Sequence, residues 1–274
     1  MKTKLLILPF LFMGIIFSAH SIFAQADNYK VLYSDGEMVI KEIDAEAFLV
    51  THTFPWPANS LVLKFKKNNF LLIDTPYTDE ATERLVEFLK KNTRGKIKIS
   101  AINTHFHVDN LGGNGYLRKI HAGVYGSDLT VKLLKERGLG KGMLESMKNL
   151  PNDRYYTYYK NKELTAPRKV FPVEKGLKLT FGKDTVEVWY PGAGHTPDNV
   201  VVYYPEKKIL FGGCILKAME SSSKGNLGDA DVHAWKGSVE KLLEKYPEAK
   251  LVIPGHGSMG GIEIIRHTID IVSK

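Results

Sequence analysis

Residues 104–114 hold three potential metal ligands within five positions: His105, His107 and Asp109. Two histidines at i and i+2 cannot share a helix face, but they do share one face of an extended segment. Both imidazoles can therefore reach one metal ion if this stretch is a strand end or a loop. Taken alone, the pair is a weak signal, and a surface or half-buried strand end explains it equally well.

Three further potential ligands have the same setting, in which a predicted strand runs into a loop containing glycine or proline. The pairs of predicted strand and following ligand are residues 97–104 with His105, 186–190 with His195, 209–211 with Cys214, and 251–253 with His256. Open α/β sheets keep their ligands at the carboxyl ends of strands, so four such coincidences favour a metal site. Six ligands exceed the four of a closed structural zinc site and divide into two sets of three, which favours catalysis.

Residues 1–24 have the pattern of a cleavable signal peptide, with the cut at 24–26. Lys2 and Lys4 precede a thirteen-residue apolar run, and Ala24 and Ala26 are the small residues of a cleavage site. The run is shorter than the roughly 20 residues of a membrane span, and no cysteine near the cut could carry a lipid. We therefore expect a periplasmic protein without a membrane anchor, in which residues 27–274 form one domain.

Cys214 is the only cysteine, so the chain forms no internal disulfide. Metal ligation explains why one thiol persists unpaired in an oxidising compartment, and a buried apolar cysteine is the alternative.

The positive charge is concentrated in one segment. The chain has 38 basic and 30 acidic residues, and residues 130–170 contain ten of the basic and four of the acidic ones. A nucleic-acid-binding protein usually draws its basic face from several elements, although the four tyrosines in 155–159 could stack on bases. We predict no nucleic-acid partner and interpret 130–170 as a basic, partly helical surface insertion, whose contact with the site stays open.

Several residues near the predicted strand ends have two interpretations. Phe54 and Trp56 alternate with prolines, and they either form an apolar flap over a pocket or fold back onto the core. Asp74 ends a predicted strand as a hydrogen-bond acceptor for a metal-bound histidine or as a turn former. The remaining histidines outside the predicted signal peptide are expected to have surface or packing roles, and they are His52, His121, His233 and His267.

Five motifs carry a resemblance to a known family. They are His105-Phe-His-Val-Asp109, Gly194-His195-Thr-Pro-Asp-Asn199, Gly212-Gly-Cys214-Ile-Leu-Lys217, Gly225-Asn-Leu-Gly-Asp229 and Pro254-Gly-His256-Gly. Over essentially the whole mature chain the sequence resembles zinc-dependent metallo-β-lactamases, of the subclass that pairs a three-histidine site with an Asp-Cys-His site. The resemblance implies an α/β fold, the αββα sandwich, with two mixed β-sheets packed face to face and helices outside.

The resemblance also implies a ligand set for two Zn²⁺ ions. One zinc would be held by His105, His107 and His195, and the other by Asp109, Cys214 and His256. Two zinc ions that share a water lower its pKa, so hydroxide becomes available at neutral pH to attack the lactam carbonyl. Asp109 would hold metal and orient the nucleophile or pass a proton.

Substrate-contacting residues follow from the same resemblance. Lys217 would receive the carboxylate of a β-lactam, Asn226 would lie near the lactam carbonyl, and Phe54 and Trp56 would belong to a mobile flap. The expected function is hydrolysis of penicillins, cephalosporins and carbapenems by a monomer, which confers antibiotic resistance. The insertion is longer than in many members, so the shape of the groove stays open.

Two alternatives remain. Thioester and lactone hydrolases of the wider superfamily typically place a second histidine after the aspartate and bridge the metals with an aspartate, where this chain has Asn110 and Cys214. A secreted zinc-binding protein without turnover is the other alternative, against which Lys217 and Asn226 argue.

Overall fold

The computed structural model describes residues 29–140 and 142–274, and the predicted signal peptide lies outside the described residues. The larger of two sheets has eight strands, which neighbour one another in chain order. They are β1 (Lys30–Ser34), β2 (Met38–Asp44), β3 (Ala47–Thr53), β4 (Pro57–Phe65), β5 (Asn69–Ile73), β6 (Lys98–Ile102), β7 (Gly123–Ser127) and β8 (Lys169–Phe171). Strands β1 to β5 pair antiparallel, and β5 to β8 pair parallel.

The smaller sheet contains five strands, and it is mixed as well. They are β9 (Leu177–Phe181), β10 (Asp184–Trp189), β11 (Val201–Tyr204), β12 (Ile209–Gly213) and β13 (Leu251–Pro254). Neighbours pair antiparallel except β12 and β13, which are parallel. The carboxyl ends of β12 and β13 therefore meet at one edge of the sheet, which matters for the loops that follow them.

The described residues contain eight α-helices. They are α1 (Asp79–Lys91), α2 (Val108–Leu111), α3 (Asn114–Lys119), α4 (Asp128–Arg137), α5 (Met143–Lys148), α6 (Arg154–Tyr159), α7 (Val232–Lys245) and α8 (Glu263–Val272). Side-chain caps explain where two of the longer helices begin. The side chain of Asp231 accepts from the backbone N–H groups of His233 and Ala234 at the start of α7, and Thr78 caps α1 in the same way.

The sheets pack face to face over a core that both of them line. Leu63 and Leu71 of the larger sheet share this core with Val188 and Phe211 of the smaller one. Outside, α1 and α3 cover the larger sheet with apolar side chains such as Leu85, and α7 and α8 cover the smaller sheet. Central strands such as β4, β5 and β12 bury both of their faces, one against the other sheet and one against the helices, which produces this layering. The predicted αββα sandwich is confirmed.

The basic insertion lies between β7 and β8 and contains α4, α5 and α6, as the predicted helical pieces require. Its tyrosines do not form an exposed stacking surface. Tyr159 is 1% exposed, and the rings of Tyr155, Tyr158 and Tyr159 all pack edge-on against Phe54. The arrangement therefore offers no support for base stacking. Among the described residues, no helix combines the length and the apolar character that crossing a membrane requires.

Candidate metal centre

The loop after β6 brings the first three potential ligands together. His105 and His107 are buried, and Asp109 follows in the first turn of α2 with only 5% of its surface exposed. Asp74, at the end of the neighbouring β5, fixes this loop by accepting from the backbone N–H and the hydroxyl of Thr104, both at 2.7 Å. Asp74 also has a left-handed backbone (φ 60°). Asp74 supports the ligand loop through Thr104 and does not bond a histidine directly. It is therefore a hydrogen-bond acceptor, but its partner is Thr104, the residue before His105, and not a metal-binding histidine.

The other three potential ligands come from loops of the smaller sheet. His195 lies between β10 and β11, Cys214 follows β12 and His256 follows β13. The last two approach closely because Gly255 has no side chain: a Cβ there would lie 2.4 Å from Cys214 Sγ. Asn59 of β4 then clamps the loop by donating to the carbonyls of Pro254 and Gly257.

His105, His107 and His195 form one group, called here the three-histidine cluster. Their ring centroids are 4.9, 5.4 and 5.1 Å apart. His195 Nε2 lies 3.2 Å from His107 Nδ1. The three rings thus lie edge-on to one another, with interplanar angles of 68°, 87° and 85°.

Asp109, Cys214 and His256 form a second group, called here the Asp-Cys-His cluster. Asp109 Oδ2 lies 3.1 Å from His256 Nε2 and 3.5 Å from Cys214 Sγ, and all three ligand atoms lie within 4.8 Å of one another. The ligand atoms of His105, His195 and Cys214 meet the same limit, so the two clusters adjoin.

The three ligand-atom distances given above, one in the three-histidine cluster and two in the Asp-Cys-His cluster, fit metal coordination. Zinc bonds of 2.0–2.3 Å in a tetrahedron place neighbouring ligand atoms about 3.3–3.8 Å apart, and the atom pairs above lie 3.1–3.5 Å apart. Imidazole, thiolate and carboxylate are also the ligand types that zinc prefers in proteins.

Hydrogen bonds on the far sides of two rings strengthen this fit. His107 Nε2 lies 3.2 Å from Asp229 Oδ2, and His256 Nδ1 lies 2.6 Å from the carbonyl oxygen of Pro57. Each acceptor favours a proton on the nitrogen that it contacts. His107 Nδ1 and His256 Nε2, which point into the clusters, then offer their lone pairs to a metal.

The two clusters differ in charge. Burial lowers the pKa of His105 to about 3 and lowers the pKa of His195 well below its usual value, so both rings are neutral at pH 7. Burial alone would raise the pKa of Asp109, but the hydrogen bond and charge of His256 hold it well below the usual value. Burial alone would lower the pKa of His256, but Cys214 and Asp109 raise it. Burial and the charge of Asp109 also raise the pKa of the Cys214 thiol.

Lys217 lies beside these clusters. Burial lowers the pKa of its amine, and its Nζ lies 5.1 Å from the centroid of the Trp235 ring. Trp235 is fully buried in α7 and also packs 5.9 Å from the His195 ring. The indole thus forms a floor under both side chains. Asn226 lies on the exposed loop after residue 220, where its Oδ1 accepts from the backbone N–H of Gly228.

The prediction that Phe54 is held out as apolar surface is wrong. Phe54 is 6% exposed beneath the tyrosines of α6, and its ring is parallel to that of His52. The connection is also short, because β4 begins at Pro57, which pairs with Thr53. Only Trp56 remains at the surface, 37% exposed. Proline and aromatic residues in a turn fit either arrangement. Phe54 is buried because the tyrosines of the insertion pack against it.

The site contains residues that sequence reasoning missed. Asp229 belongs to a motif noted above but had no role assigned, and Arg137, which contacts it at 2.8 Å, had no signal at all. Asn59 could have been found, because the polar pair Asn59 and Ser60 directly precedes the apolar residues Leu61, Val62 and Leu63 in one strand. Asn110 was noted only for differing from other hydrolases, and its amide nitrogen contacts His105 Nε2 at 3.1 Å and Asp109 Oδ1 at 2.9 Å.

An αββα sandwich with buried histidine, aspartate and cysteine side chains at its strand ends defines a candidate metalloenzyme. Residues 53–256 match the metallo-beta-lactamase superfamily, and the chain belongs to this family, whose members depend on zinc.

Individual relatives agree with this assignment. The chain is 34% identical over 218 residues to a metallo-beta-lactamase type 2 of Bacteroides fragilis, with 80% of this chain and 76% of that protein aligned. A metallo-beta-lactamase type 2 of Bacillus cereus is also 34% identical over 218 residues, covering 79% and 73%. A solved metallo-beta-lactamase from Pontibacter korlensis superposes with a TM-score of 0.72 at 30% identity, covering 87% of this chain and 100% of that one.

Proposed function

We propose that this protein hydrolyses the amide bond of β-lactam antibiotics at a centre of two zinc ions. The observation that carries the proposal is the convergence of Asp109, Cys214 and His256 beside the three-histidine cluster. Relatives with the metallo-beta-lactamase type 2 name support the reaction. In this proposal, each cluster holds one ion and leaves one coordination position open.

Bound zinc supplies Lewis acidity and lowers the pKa of a water from 15.7 toward about 7, which makes a nucleophile available at neutral pH. Asp109 is ionised and stands where the two clusters adjoin. Its carboxylate can therefore orient the attacking water and pass a proton toward the lactam nitrogen as the ring opens. Asn110 holds the other carboxylate oxygen, because its amide donates to Asp109 Oδ1 at 2.9 Å.

Recognition of an anionic substrate falls to Lys217 and Asn226. The ammonium group of Lys217 lies against the Trp235 ring, where partial burial strengthens its attraction for a carboxylate. The amide N–H group of Asn226 can donate to the lactam carbonyl oxygen, on which negative charge develops. The exposed indole of Trp56 offers apolar surface to the substituents of the substrate.

The remaining parts of the proposal concern location and substrate range. We place the protein in the periplasm because residues 1–24 have the pattern of a signal peptide. Action as a monomer on penicillins, cephalosporins and carbapenems would confer antibiotic resistance.

The experiment is an assay of the purified mature protein, loaded with zinc, on a chromogenic cephalosporin and a carbapenem. We expect turnover of both substrates, its loss after treatment with a chelator, and its return when zinc is added back. Turnover that survives complete metal removal would contradict the proposal, as would the absence of turnover with two zinc ions bound.

A further inference from the structure

The basic insertion reaches the three-histidine cluster through a chain of polar contacts. Arg137, the last residue of α4, donates from Nη1 to Asp229 Oδ1 at 2.8 Å. The other oxygen of Asp229 lies 3.2 Å from His107 Nε2. The side chains of Asp229 and His107 are only 1% and 2% exposed. A guanidinium from the insertion is thus linked through one buried carboxylate to a candidate metal ligand.

The backbone of the insertion touches the same histidine. Gly140 has a left-handed backbone (φ 99°), and a Cβ at this position would lie 2.8 Å from both Cδ2 and Nε2 of His107 and 3.2 Å from Asp229 Oδ2. Real Cβ atoms do not come this close to other atoms, so a side chain at position 140 would clash with the ring. The backbone of the loop is therefore in direct contact with the imidazole of His107. A nearby glycine differs: Gly138 also has positive φ, 57°, but a Cβ there would meet nothing within 4 Å.

These contacts bear on the orientation of the ring. A carboxylate that accepts a proton from the outer nitrogen of a metal-binding histidine fixes its tautomer and direction. Asp229 is buried, so its charge and position depend on the groups that pair with it. Arg137 is one of these groups and is 39% exposed, so it brings a charge to the carboxylate from the protein surface.

We propose that the basic insertion is a positioning element for the metal centre. In this role Arg137 orients His107 through Asp229, and Gly140 packs against the imidazole and limits its movement. Arg137 and Gly140 are positioning residues, since neither contacts substrate. The inference rests on the proposed ligation of metal by His107 and does not require that the protein hydrolyse a β-lactam.

The first test compares metal affinity in Arg137→Ala, Arg137→Lys and the matched control Lys135→Ala, an exposed position on the same helix. Loss of a partner around a metal ligand typically lowers affinity about 10–100-fold. Because Arg137 acts through Asp229, we expect the lower end of that range for Arg137→Ala. The readouts are cobalt(II) affinity by chelator competition and the visible spectrum of the bound cobalt. Arg137→Lys should recover part of the affinity, and Lys135→Ala should equal the wild type.

The second test uses the two glycines. Gly140→Ala places a methyl group against His107, whereas Gly138→Ala carries a similar backbone penalty without a steric contact. We expect a lower cobalt affinity and a changed cobalt spectrum for Gly140→Ala alone. Circular dichroism and the melting temperature of each metal-free variant show whether it has folded.

Wild-type cobalt affinity and spectrum in both Arg137→Ala and Gly140→Ala would overturn the inference. Equal losses in Gly138→Ala and Gly140→Ala would also overturn it, because they would reflect backbone strain alone. Failure of the proposed function gives a different result: wild-type protein that binds two metal ions but does not hydrolyse β-lactams. The affinity differences among these variants would then still decide the inference.

Discussion

The three-histidine cluster and the Asp-Cys-His cluster adjoin, yet they are built on different physical principles. All three rings of the first are buried, and burial keeps His105 and His195 neutral. The second contains the close pair of Asp109 and His256, in which the His256 side chain is 41% exposed. Burial thus keeps the rings of His105 and His195 unprotonated before any metal binds. In the Asp-Cys-His cluster, Cys214 and His256 must lose protons before a metal can bind.

This difference predicts unequal metal affinities. The three-histidine cluster needs no proton release from His105 or His195 at neutral pH, and Asp229 holds the outer nitrogen of His107. In the Asp-Cys-His cluster, the raised pKa values of Cys214 and His256 make metal compete with protons. We therefore expect the second ion to bind more weakly and to be lost first as the pH falls.

The largest effect is expected for His195→Ala, which removes one ligand from the three-histidine cluster. The rate of β-lactam hydrolysis should fall about 1,000-fold or more, beyond the 10–100-fold typical of residues that only support a ligand. The measurement is kcat/KM for a chromogenic cephalosporin, together with zinc content. His121→Asn, a surface histidine, is the control and should keep full activity. A His195→Ala enzyme with normal kcat/KM would remove this cluster from the mechanism.

The next effect tests whether burial alone keeps a histidine neutral, without any metal. His52 is 1% exposed and its pKa is lowered by burial to about 4. Between pH 6.5 and 4 the unfolded chain binds a proton that the folded protein does not, so stability falls as the pH decreases. A shift of this size corresponds to about 3 kcal/mol.

Replacement of His52 by asparagine should remove that contribution. Between pH 7 and pH 4, the free energy of unfolding of the metal-free His52→Asn variant should fall by about 3 kcal/mol less than that of the wild type. Urea unfolding at both pH values measures the difference, with His121→Asn as the control. Parallel pH dependences in wild type and His52→Asn would mean that burial does not keep this histidine neutral.

A smaller effect is expected for Cys214→Ser, which replaces the thiolate of the Asp-Cys-His cluster by a poorer ligand. Zinc content should fall from two ions to one. The value of kcat/KM should fall about 10–100-fold, because the three-histidine cluster is left intact. Metal analysis after dialysis and steady-state kinetics measure both quantities. Unchanged stoichiometry and rate would show that the thiol is not a ligand.

The smallest effect is expected for Lys217→Ala, which touches neither cluster directly. In the proposed function Lys217 binds a substrate carboxylate away from the reacting bond, so KM should rise about 10-fold while kcat changes little. Steady-state kinetics with a cephalosporin test this split, and Lys178→Ala on exposed β9 is the control. A fall in kcat with unchanged KM would contradict a role in binding.

The candidate ligands could be identified from sequence because the physical pattern is local. Each of His105, His195, Cys214 and His256 follows an apolar strand and lies near glycine or proline, and strand ends at one edge of a sheet converge. The start of α7 follows from an equally local pattern, because Asp231 is an acceptor residue directly before the helix and caps it. The short strands β1, β7 and β8 were missed, since they lack a clear apolar alternation.

Other features depend on contacts between distant segments, which no local pattern encodes. The link from Arg137 to Asp229 joins positions 92 residues apart, and its helix shows only ordinary surface charges. The burial of Phe54 depends on α6, about 100 residues later in the chain. Asp74 was recognised as a candidate acceptor, but its actual partner, Thr104, emerges only from the pairing of β5 with β6.

In the proposed function, six side chains hold two zinc ions side by side. Crystals of the zinc-loaded protein, with diffraction recorded on both sides of the zinc absorption edge, test it most directly. We predict two anomalous peaks about 3.5–4 Å apart, one bonded to His105, His107 and His195 and the other to Asp109, Cys214 and His256. A single peak at full zinc loading, or a second peak away from the Cys214 sulfur, would contradict the account.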